Sequence, residues 1–322
     1  MPAGWIDGLE ALAATDLAAV HGTGLESRSV VAVGVFDGVH LGHQRLLHEL
    51  LEFASELGGL PTVVTFKDHP DRLLRGEAPP LLVSVPHRIR LLHRAGVRRI
   101  VVLDFDARLR AYSAQRFTEE VLVRGLRTCG LLLGYDSALG KDREGTPALF
   151  REFGARYGFA VRESQPFLVD GQRVSSTAIR AAIAAGDLDR SHRLLGRWPS
   201  AFGTVIEGDH RGRALGFPTA NLLPQSSVLP PNGVYAAEAI RDEVALPAVA
   251  NLGVRPTFLG DDSTPLRLLE VHVLDFRGDL YGQTLEVAFR ASIRAERRFP
   301  DIDQLRAQIA RDVARTRELL AP

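Results

Sequence analysis

The sequence predicts two domains of different class, an α/β domain followed by an all-β domain that ends in a helix. Short apolar runs alternate with amphipathic stretches from residue 30 to about residue 193, as in a parallel sheet covered by helices on both faces. From residue 202 to 289 the runs are short, β-rich and separated by Gly and Pro, which indicates an antiparallel barrel or sandwich. The 322 residues suffice for two domains, and we expect their boundary between residues 195 and 196.

The first domain is predicted to contain five strands, each an apolar run of the kind that is buried in a parallel sheet. His40, His69 and Asp136 each follow a predicted strand end. The carboxyl ends of parallel strands meet at one edge, so we expect these side chains to share one crevice. The predicted strands span residues 30–36, 61–66, 99–104, 130–134 and 159–163, and the predicted helices span residues 43–57, 86–95, 114–124 and 147–157.

The elements that follow are two helices, five strands and a terminal helix. The first helix begins after hydroxyl residues and ends at a glycine, which are ordinary start and stop signals. The predicted helices span residues 177–186, 189–195 and 301–320, and the predicted strands span residues 202–207, 233–240, 246–252, 268–275 and 284–293.

The composition excludes some classes of protein. Lys and Arg number 39 in total, as do Asp and Glu, so there is no excess charge to attract a nucleic acid. The single cysteine, Cys129, cannot form an internal disulfide, which indicates a reducing compartment. No secretory signal and no apolar run of about 20 residues is evident, so we expect a cytoplasmic protein without a membrane partner. The sequence leaves the oligomeric state open.

The stretch at residues 36–44 has the pattern of a strand end, a glycine turn and a helix start. Such a helix start collects unpaired backbone N–H groups and the positive end of the helix dipole, so it suits a phosphate group. Gly42 would let the phosphate approach the backbone while His40 and His43 add donors that stabilise charge during phosphoryl transfer. The alternative is that one histidine caps the helix and the other packs.

Further polar residues follow other predicted elements. Asp136 lies in a loop with Gly140 and Gly145. Ser176 and Thr177 offer hydroxyls and amides at a helix start, one turn before Arg180, which suits a leaving diphosphate, although a plain helix cap would look the same. Together these pieces predict nucleotide chemistry in the first domain.

The second domain contains a glycine-rich block at residues 203–221 that could cradle phosphate without a helix. Thr219 and Asn221 follow Pro218, and their side-chain oxygens suit Mg²⁺, although a glycine-rich hairpin explains the composition equally well. No P-loop occurs, so a kinase here would be of another kind. Glu270 lies in an apolar strand, with His272 and Leu274 on its face, and is either a catalytic base or an exposed alternate residue.

Residues 36–44, Thr65-Phe66 with His69-Pro70, and residues 175–177 with Arg180 resemble the adenylyltransferase module of the bacterial bifunctional riboflavin kinase/FAD synthetases. The resemblance implies a Rossmann-like nucleotidyltransferase domain that binds MgATP and FMN, transfers AMP to FMN and releases pyrophosphate. His40 and His43 would contact the ATP phosphates, Arg180 with Ser176 and Thr177 the pyrophosphate, and Asp136 the flavin. The cofactor-binding set would also include Phe36, Asp37, Gly38, Gly42 and His69.

Residues 216–221, 251–258, 269–272 and 293–299 resemble the riboflavin kinase module of the same family. The resemblance implies a six-stranded flavokinase barrel in which Thr219 and Asn221 bind Mg²⁺ and ATP, and Glu270 activates the ribityl hydroxyl of riboflavin. The cofactor-binding set implied here is Gly208, Arg211, Gly216, Pro218, Thr219, Asn221, Asn251 and Arg255.

The sequence departs from the family pattern at Ser137-Ala138-Leu139, where the family commonly has a Phe-Arg-Phe segment, and at Lys67-Asp68, where it commonly has Glu-Pro. The first departure removes aromatic area near the expected flavin pocket. One alternative is therefore a riboflavin kinase whose first module is inactive on FMN or uses another acceptor. A second alternative is a non-catalytic flavin-binding or RNA-binding protein, against which the neutral net charge weighs.

Overall fold

The computed structural model describes residues 5–15, 28–135, 137–207, 212, 215–226, 228–255 and 266–321. The chain divides into two compact units. The first comprises Met1–Leu81 and Val85–Ser175, and the second comprises Leu82–Ser84 and Ser176–Pro322. The domain boundary expected between residues 195 and 196 stays a prediction.

The first unit contains a six-stranded parallel sheet of order β1-β4-β3-β2-β5-β6, which confirms the predicted α/β class. The edge strand β1 was not predicted, because three residues are too few for a pattern to be read. β2 ends at Val33 rather than at residue 36, since the chain turns sharply there. The strands are β1 Trp5–Asp7, β2 Ser29–Val33, β3 Leu60–Phe66, β4 Arg99–Leu103, β5 Thr128–Leu133 and β6 Ala160–Glu163.

Helices connect these strands, and an apolar cluster that includes Val31, Val64 and Phe150 is buried against one face of the sheet. Other apolar side chains of the sheet and its helices, such as Val30, Leu50 and Leu92, are also buried. The helix predicted over residues 114–124 is wrong in type, because only its first turn is α-helical and a π-helix follows at Thr118–Gly125. Eight residues are too few for the spacing of apolar residues to distinguish an α-helix from a π-helix. The helices are α1 Gly8–Ala14, α2 Leu41–Leu57, α3 Asp71–Arg75, α4 Val85–Arg94, α5 Ala107–Arg110, α6 Ala114–Phe117 and α7 Pro147–Tyr157, with a 3₁₀ turn at Lys141–Arg143 and a hairpin of β7 Leu168–Val169 and β8 Gln172–Arg173.

The second unit contains a closed antiparallel barrel of order β10-β13-β12-β11-β14-β9, which decides between barrel and sandwich. β10 was not predicted, because it directly follows the glycine-rich block and buries few apolar side chains. The strands are β9 Ser200–Ile206, β10 Ala220–Pro224, β11 Gly233–Arg241, β12 Val244–Arg255, β13 Leu266–Val273 and β14 Thr284–Arg294, and the helices are α8 Ser176–Ala184, α9 Leu188–Leu195 and α10 Ile302–Leu319.

The terminal helix α10 covers part of the outer face of the barrel. Val313 packs there against a small cluster that includes Val249 and Leu274. Arg294 of β14 donates hydrogen bonds of 2.8 to 3.2 Å to Asp312, which is buried. These contacts fix the outer face on which polar residues of β12 and β13 lie.

Within the described part of the chain, no helix combines the length and the apolar character needed to cross a membrane.

Candidate functional site

The turn between β2 and α2 has an unusual backbone. Phe36 and Val39 have φ angles of 51° and 42°, in the left-handed region that β-branched and bulky residues rarely adopt. Gly38 has φ of 84°, which glycine adopts without strain. Each strained residue costs roughly 1–3 kcal/mol and persists only when its surroundings fix it. Phe36, Asp37 and Val39 are all buried, so the fold holds this turn in place.

The two histidines lie side by side at the helix start that follows this turn. His40 caps α2, because its Nδ1 accepts a hydrogen bond of 3.2 Å from the backbone N–H of His43. Their rings stack with centroids 3.6 Å apart, and the His43 ring also contacts Phe36 at 5.2 Å. A Cβ atom on Gly42 would lie 3.3 Å from Nδ1 of His40, so glycine allows this close arrangement. Capping, the alternative considered for one histidine, is thus correct for His40, and its contact with ATP stays a prediction.

His69 lies just past the end of β3, as predicted. Its Nδ1 accepts a hydrogen bond of 3.2 Å from the backbone N–H of Asp71, and the Asp71 carboxylate lies 3.8 Å from the same atom. The ring borders a cavity of about 960 Å³ at the carboxyl ends of the central strands, which is large enough for a drug-sized ligand.

This cavity also contains the segment that departs from the family pattern. Ser137, Ala138 and Leu139 line it, whereas Asp136 lies outside the described residues. Four aromatic rings line the cavity from other elements, and the sequence reasoning missed them as site residues. These rings belong to Phe66, Phe105, Tyr112 and Phe117. The aromatic surface of this cavity therefore does not depend on residues 137–139.

Ser176, Thr177 and Arg180 lie in the first two turns of α8, which belongs to the second unit. Their predicted grouping with the two histidines stays a prediction. Within the first unit, a Cβ atom on Gly42 would lie 3.9 Å from Cβ of Val174, so residue 174 lies beside the histidine turn.

In the barrel, three polar residues lie directly opposite one another on neighbouring strands. Glu270 of β13 pairs with Asn221 of β10 on one side and with Asn251 of β12 on the other. The residues on either side of each member, such as Leu269 and Val271, belong to the core of the barrel. Alternation therefore places the row on the outer face.

His272, on the same face as Glu270, fixes the chain that leads to Thr219. Its Nδ1 lies 2.8 Å from the carbonyl oxygen of Pro218, which accepts a hydrogen bond from it. Its ring meets Phe217 edge to face, with centroids 5.6 Å apart. The sequence reasoning noted His272 only for its shared face, so its role in holding this segment is new.

A cavity of about 380 Å³ is lined by Pro218, Thr219 and Asn221 together with Phe276 and residues 278–281. Asn221 is 6% exposed, and its Oδ1 accepts no hydrogen bond from any described residue. A buried acceptor in this state fits a ligand that supplies the missing partner. Hydroxyl and amide oxygens are ligands that suit Mg²⁺, so Thr219 and Asn221 fit that ion.

The remaining predicted residues of the barrel are partly described. Gly216 has φ of 86°, which explains glycine at that turn. Gly208 and Arg211 lie outside the described residues, and Arg255 ends β12 with a side chain that is not described. Beyond the row, Asp275 accepts hydrogen bonds from Arg317 of α10, and these hold the pKa of Asp275 below its usual range.

Comparison with known proteins agrees with this geometry. Residues 23–178 match the family model for FAD synthetase, and residues 195–320 match that for riboflavin kinase. A Pseudomonas fluorescens protein named bifunctional riboflavin kinase/FMN adenylyltransferase is 41% identical over 304 residues, which cover 94% of this chain and 97% of that protein. An Escherichia coli K12 protein of the same name is 41% identical over 291 residues, covering 90% and 92%.

Among solved structures, a Streptococcus pneumoniae protein described as a macrolide-efflux protein is similar, with a TM-score of 0.75 and 30% identity. The match covers 90% of this chain and 94% of that one. Two family models match the chain, and the curated relatives match it over nearly their full length, so the family is established. The chain belongs to the bifunctional riboflavin kinase/FMN adenylyltransferases, a family of transferases with a nucleotidyltransferase domain and a riboflavin kinase barrel.

Proposed function

We propose that the barrel phosphorylates riboflavin to FMN with ATP, and that the α/β unit adenylylates FMN to FAD with release of pyrophosphate. The observation that carries the proposal is the row of Asn221, Glu270 and Asn251 beside Thr219. It brings a carboxylate next to an oxygen atom that accepts no hydrogen bond from the described residues, and phosphoryl transfer to an alcohol needs both a base and free ligands of this kind.

In the kinase reaction, Glu270 accepts the proton of the ribityl hydroxyl as that oxygen attacks the γ-phosphorus of ATP. The bond from the γ-phosphorus to its bridging oxygen breaks, and ADP leaves. Thr219 and Asn221 would hold Mg²⁺, which would offset the phosphate charge when bound. His272 keeps Pro218, and with it Thr219, in place through the hydrogen bond to the Pro218 carbonyl.

In the transferase reaction, a phosphate oxygen of FMN attacks the α-phosphorus of ATP, and pyrophosphate leaves. A phosphate oxygen needs no base, so the protein contributes orientation and charge stabilisation. The backbone N–H groups at the start of α2, with His40 and His43, hold the phosphates. Ser176, Thr177 and Arg180 hold the pyrophosphate side, and the flavin occupies the cavity beside residues 137–139.

A second candidate function is supported by Ser137-Ala138-Leu139, which line the cavity without the aromatic and arginine side chains common in the family. In that case the chain makes FMN only, or its first unit uses another acceptor.

Product analysis separates these functions. The protein is incubated with riboflavin, ATP and Mg²⁺, and in parallel with FMN, ATP and Mg²⁺, and flavins are resolved by chromatography. We expect FMN and then FAD from the first mixture and FAD from the second. FMN alone would favour the second candidate, and no new flavin in either mixture would refute both. Chelation of divalent cations with EDTA should stop both reactions if Mg²⁺ is required.

We also infer that the protein works in the cytoplasm on small flavins and ATP, without nucleic acid as a partner. The equal numbers of acidic and basic residues support this inference. A gel-shift experiment at low salt with single-stranded and double-stranded RNA should show no complex.

A further inference from the structure

Arg88 is a charged side chain in the interior of the first unit. It lies on α4, is 0% exposed, and reaches the carboxyl end of β3. Its Nη1 donates hydrogen bonds to Oγ1 of Thr65 at 3.0 Å and to the carbonyl oxygen of Phe66 at 2.7 Å. Neither Thr65 nor Phe66 carries a charge, so this arginine is not explained by an ion pair with its bonded neighbours.

The hydrogen bonds of Arg88 connect two turns of the nucleotide site. Thr65 links Arg88 to the segment before α2, because the Thr65 hydroxyl donates a hydrogen bond of 2.9 Å to the carbonyl oxygen of Val35. Val35 directly precedes the strained turn at Phe36, and Phe66 lies three residues before His69. A single guanidinium thus ties together the backbones that lead into both turns.

Burial of this charge is unfavourable, which argues that it is kept for a reason other than stability. Burial lowers the pKa of Arg88, and the carboxylates of Asp37 and Asp68 counteract only part of that effect. Its Nε and Nη2 donate to no described residue. Incompletely bonded buried charges are costly, and apolar residues of similar size are commonly as stable or more stable in such places.

We infer that Arg88 is a positioning residue for adenylyl transfer, which holds the Phe36 turn and the His69 turn in register for the phosphates of ATP. The inference rests on the function proposed for the first unit. Misplacement of such turns by about 1 Å can lower a rate by about a hundredfold. Arg88 acts through Thr65 and Phe66 rather than by touching the nucleotide.

The chain offers a matched control in Arg99, a second buried arginine of the same sheet. Arg99 is 1% exposed, and its Nη1 donates to Oγ of Ser29 at 2.6 Å. Arg99 and Ser29 are the first residues of β4 and β2, at the amino edge of the sheet. Substitution of Arg99 therefore disturbs a similar buried charge far from the strand ends that carry the nucleotide turns.

The experiment compares full-length Arg88→Met, Arg88→Lys, Thr65→Val and Arg99→Met with the parent protein. FAD formation from FMN is measured over a range of ATP concentrations. FMN formation from riboflavin, which the barrel catalyses, is measured in the same preparations as a control for active protein. We expect Arg88→Met and Thr65→Val to raise the KM for ATP in FAD formation by about tenfold or more, with Arg88→Lys closer to the parent. Arg99→Met should lower thermal stability while leaving this KM within about twofold.

Two results would overturn the inference. One is a KM for ATP in Thr65→Val and Arg88→Met that matches the parent value. The other is a rise in this KM in Arg99→Met as large as that in Arg88→Met, which would indicate a general loosening of the sheet. Thr65→Val keeps the arginine and so covers the case in which Arg88→Met does not fold. If the parent protein makes no FAD, the proposed transferase function fails first, and the inference about Arg88 fails with it.

Discussion

Replacement of Asn221 by leucine should separate stability from function in the barrel. Asn221 is buried, and its Oδ1 lacks a hydrogen-bond partner among the described residues. A buried acceptor without a partner costs about 1–3 kcal/mol, and leucine has a similar branched shape with no polar atom. We expect the barrel of Asn221→Leu, without ligands, to be more stable than the parent by about 1 kcal/mol. This is the lower end of the range, because the larger leucine side chain must be accommodated beside the cavity. For a unit of this size that is a rise of about 2–4 °C in the unfolding temperature.

The same substitution should strongly reduce the kinase activity. It removes an oxygen that we assign to Mg²⁺ and ATP, so FMN formation should fall by at least about a hundredfold. Calorimetry of the full chain in EDTA gives the stability, and chromatography of flavins gives the rate. Asn221→Asp is the matched variant, since it keeps an oxygen ligand and should retain more activity while losing stability without Mg²⁺. A less stable Asn221→Leu protein that still makes FMN at the parent rate would refute the reasoning.

Three further predictions follow from single contacts. Glu270→Gln should slow FMN formation by about 10²–10⁴-fold, which is the usual contribution of a general base, while FAD formation from FMN stays at the parent rate. An unchanged rate of FMN formation would show that Glu270 is not the base. Asp312→Ala should lower the free energy of unfolding by about 3 kcal/mol in urea titrations, because Arg294 is left charged and mostly buried without its partner. Tyr112→Phe should make stability less dependent on acid pH, since the Tyr112 hydroxyl bonds Glu120 at 2.6 Å and holds the pKa of Glu120 below its ordinary value of 4.5. That stabilisation is present above about pH 4.5 and is lost as the pH falls through the lower pKa of Glu120 in the folded protein. The unfolding temperatures of Tyr112→Phe and the parent should therefore differ at about pH 7 and converge in acid. A difference that stays constant with pH would contradict this assignment.

Local patterns were sufficient to predict most of the fold. The central strands of the sheet are fully buried, so they appear in the sequence as continuous apolar runs, and the helices between them show a clear period. Trp5–Asp7 carries no such signal, because its strand state comes from parallel pairing with β4. β10 was hidden for a similar reason, since its place is fixed by closure of the barrel between β9 and β13.

The candidate site was predictable where its residues are neighbours in sequence. The spacing of His40, Gly42 and His43 indicates their joint position at a helix start, and the structure places them there. The row of Asn221, Glu270 and Asn251 depends on the register of three strands, which the sequence does not encode locally. The period of the helix gave no reason to expect a buried charge at Arg88.

The residues that sequence patterns cannot reveal have one physical task in common. Arg88 donates to the carbonyl oxygen of Phe66, and His272 bonds the carbonyl oxygen of Pro218, so each fixes a backbone segment that carries predicted ligand-binding groups. Backbone carbonyls are present in every residue, and such contacts therefore leave no motif in the sequence. Asn221, by contrast, has an acceptor with no hydrogen-bond partner in the described part of the chain, and this acceptor fits a ligand. In each unit the predicted site thus combines ligand-binding groups that sequence spacing indicates with supporting contacts that only the folded chain defines. Variants of the supporting residues should therefore change the KM for the ligand more than they change kcat.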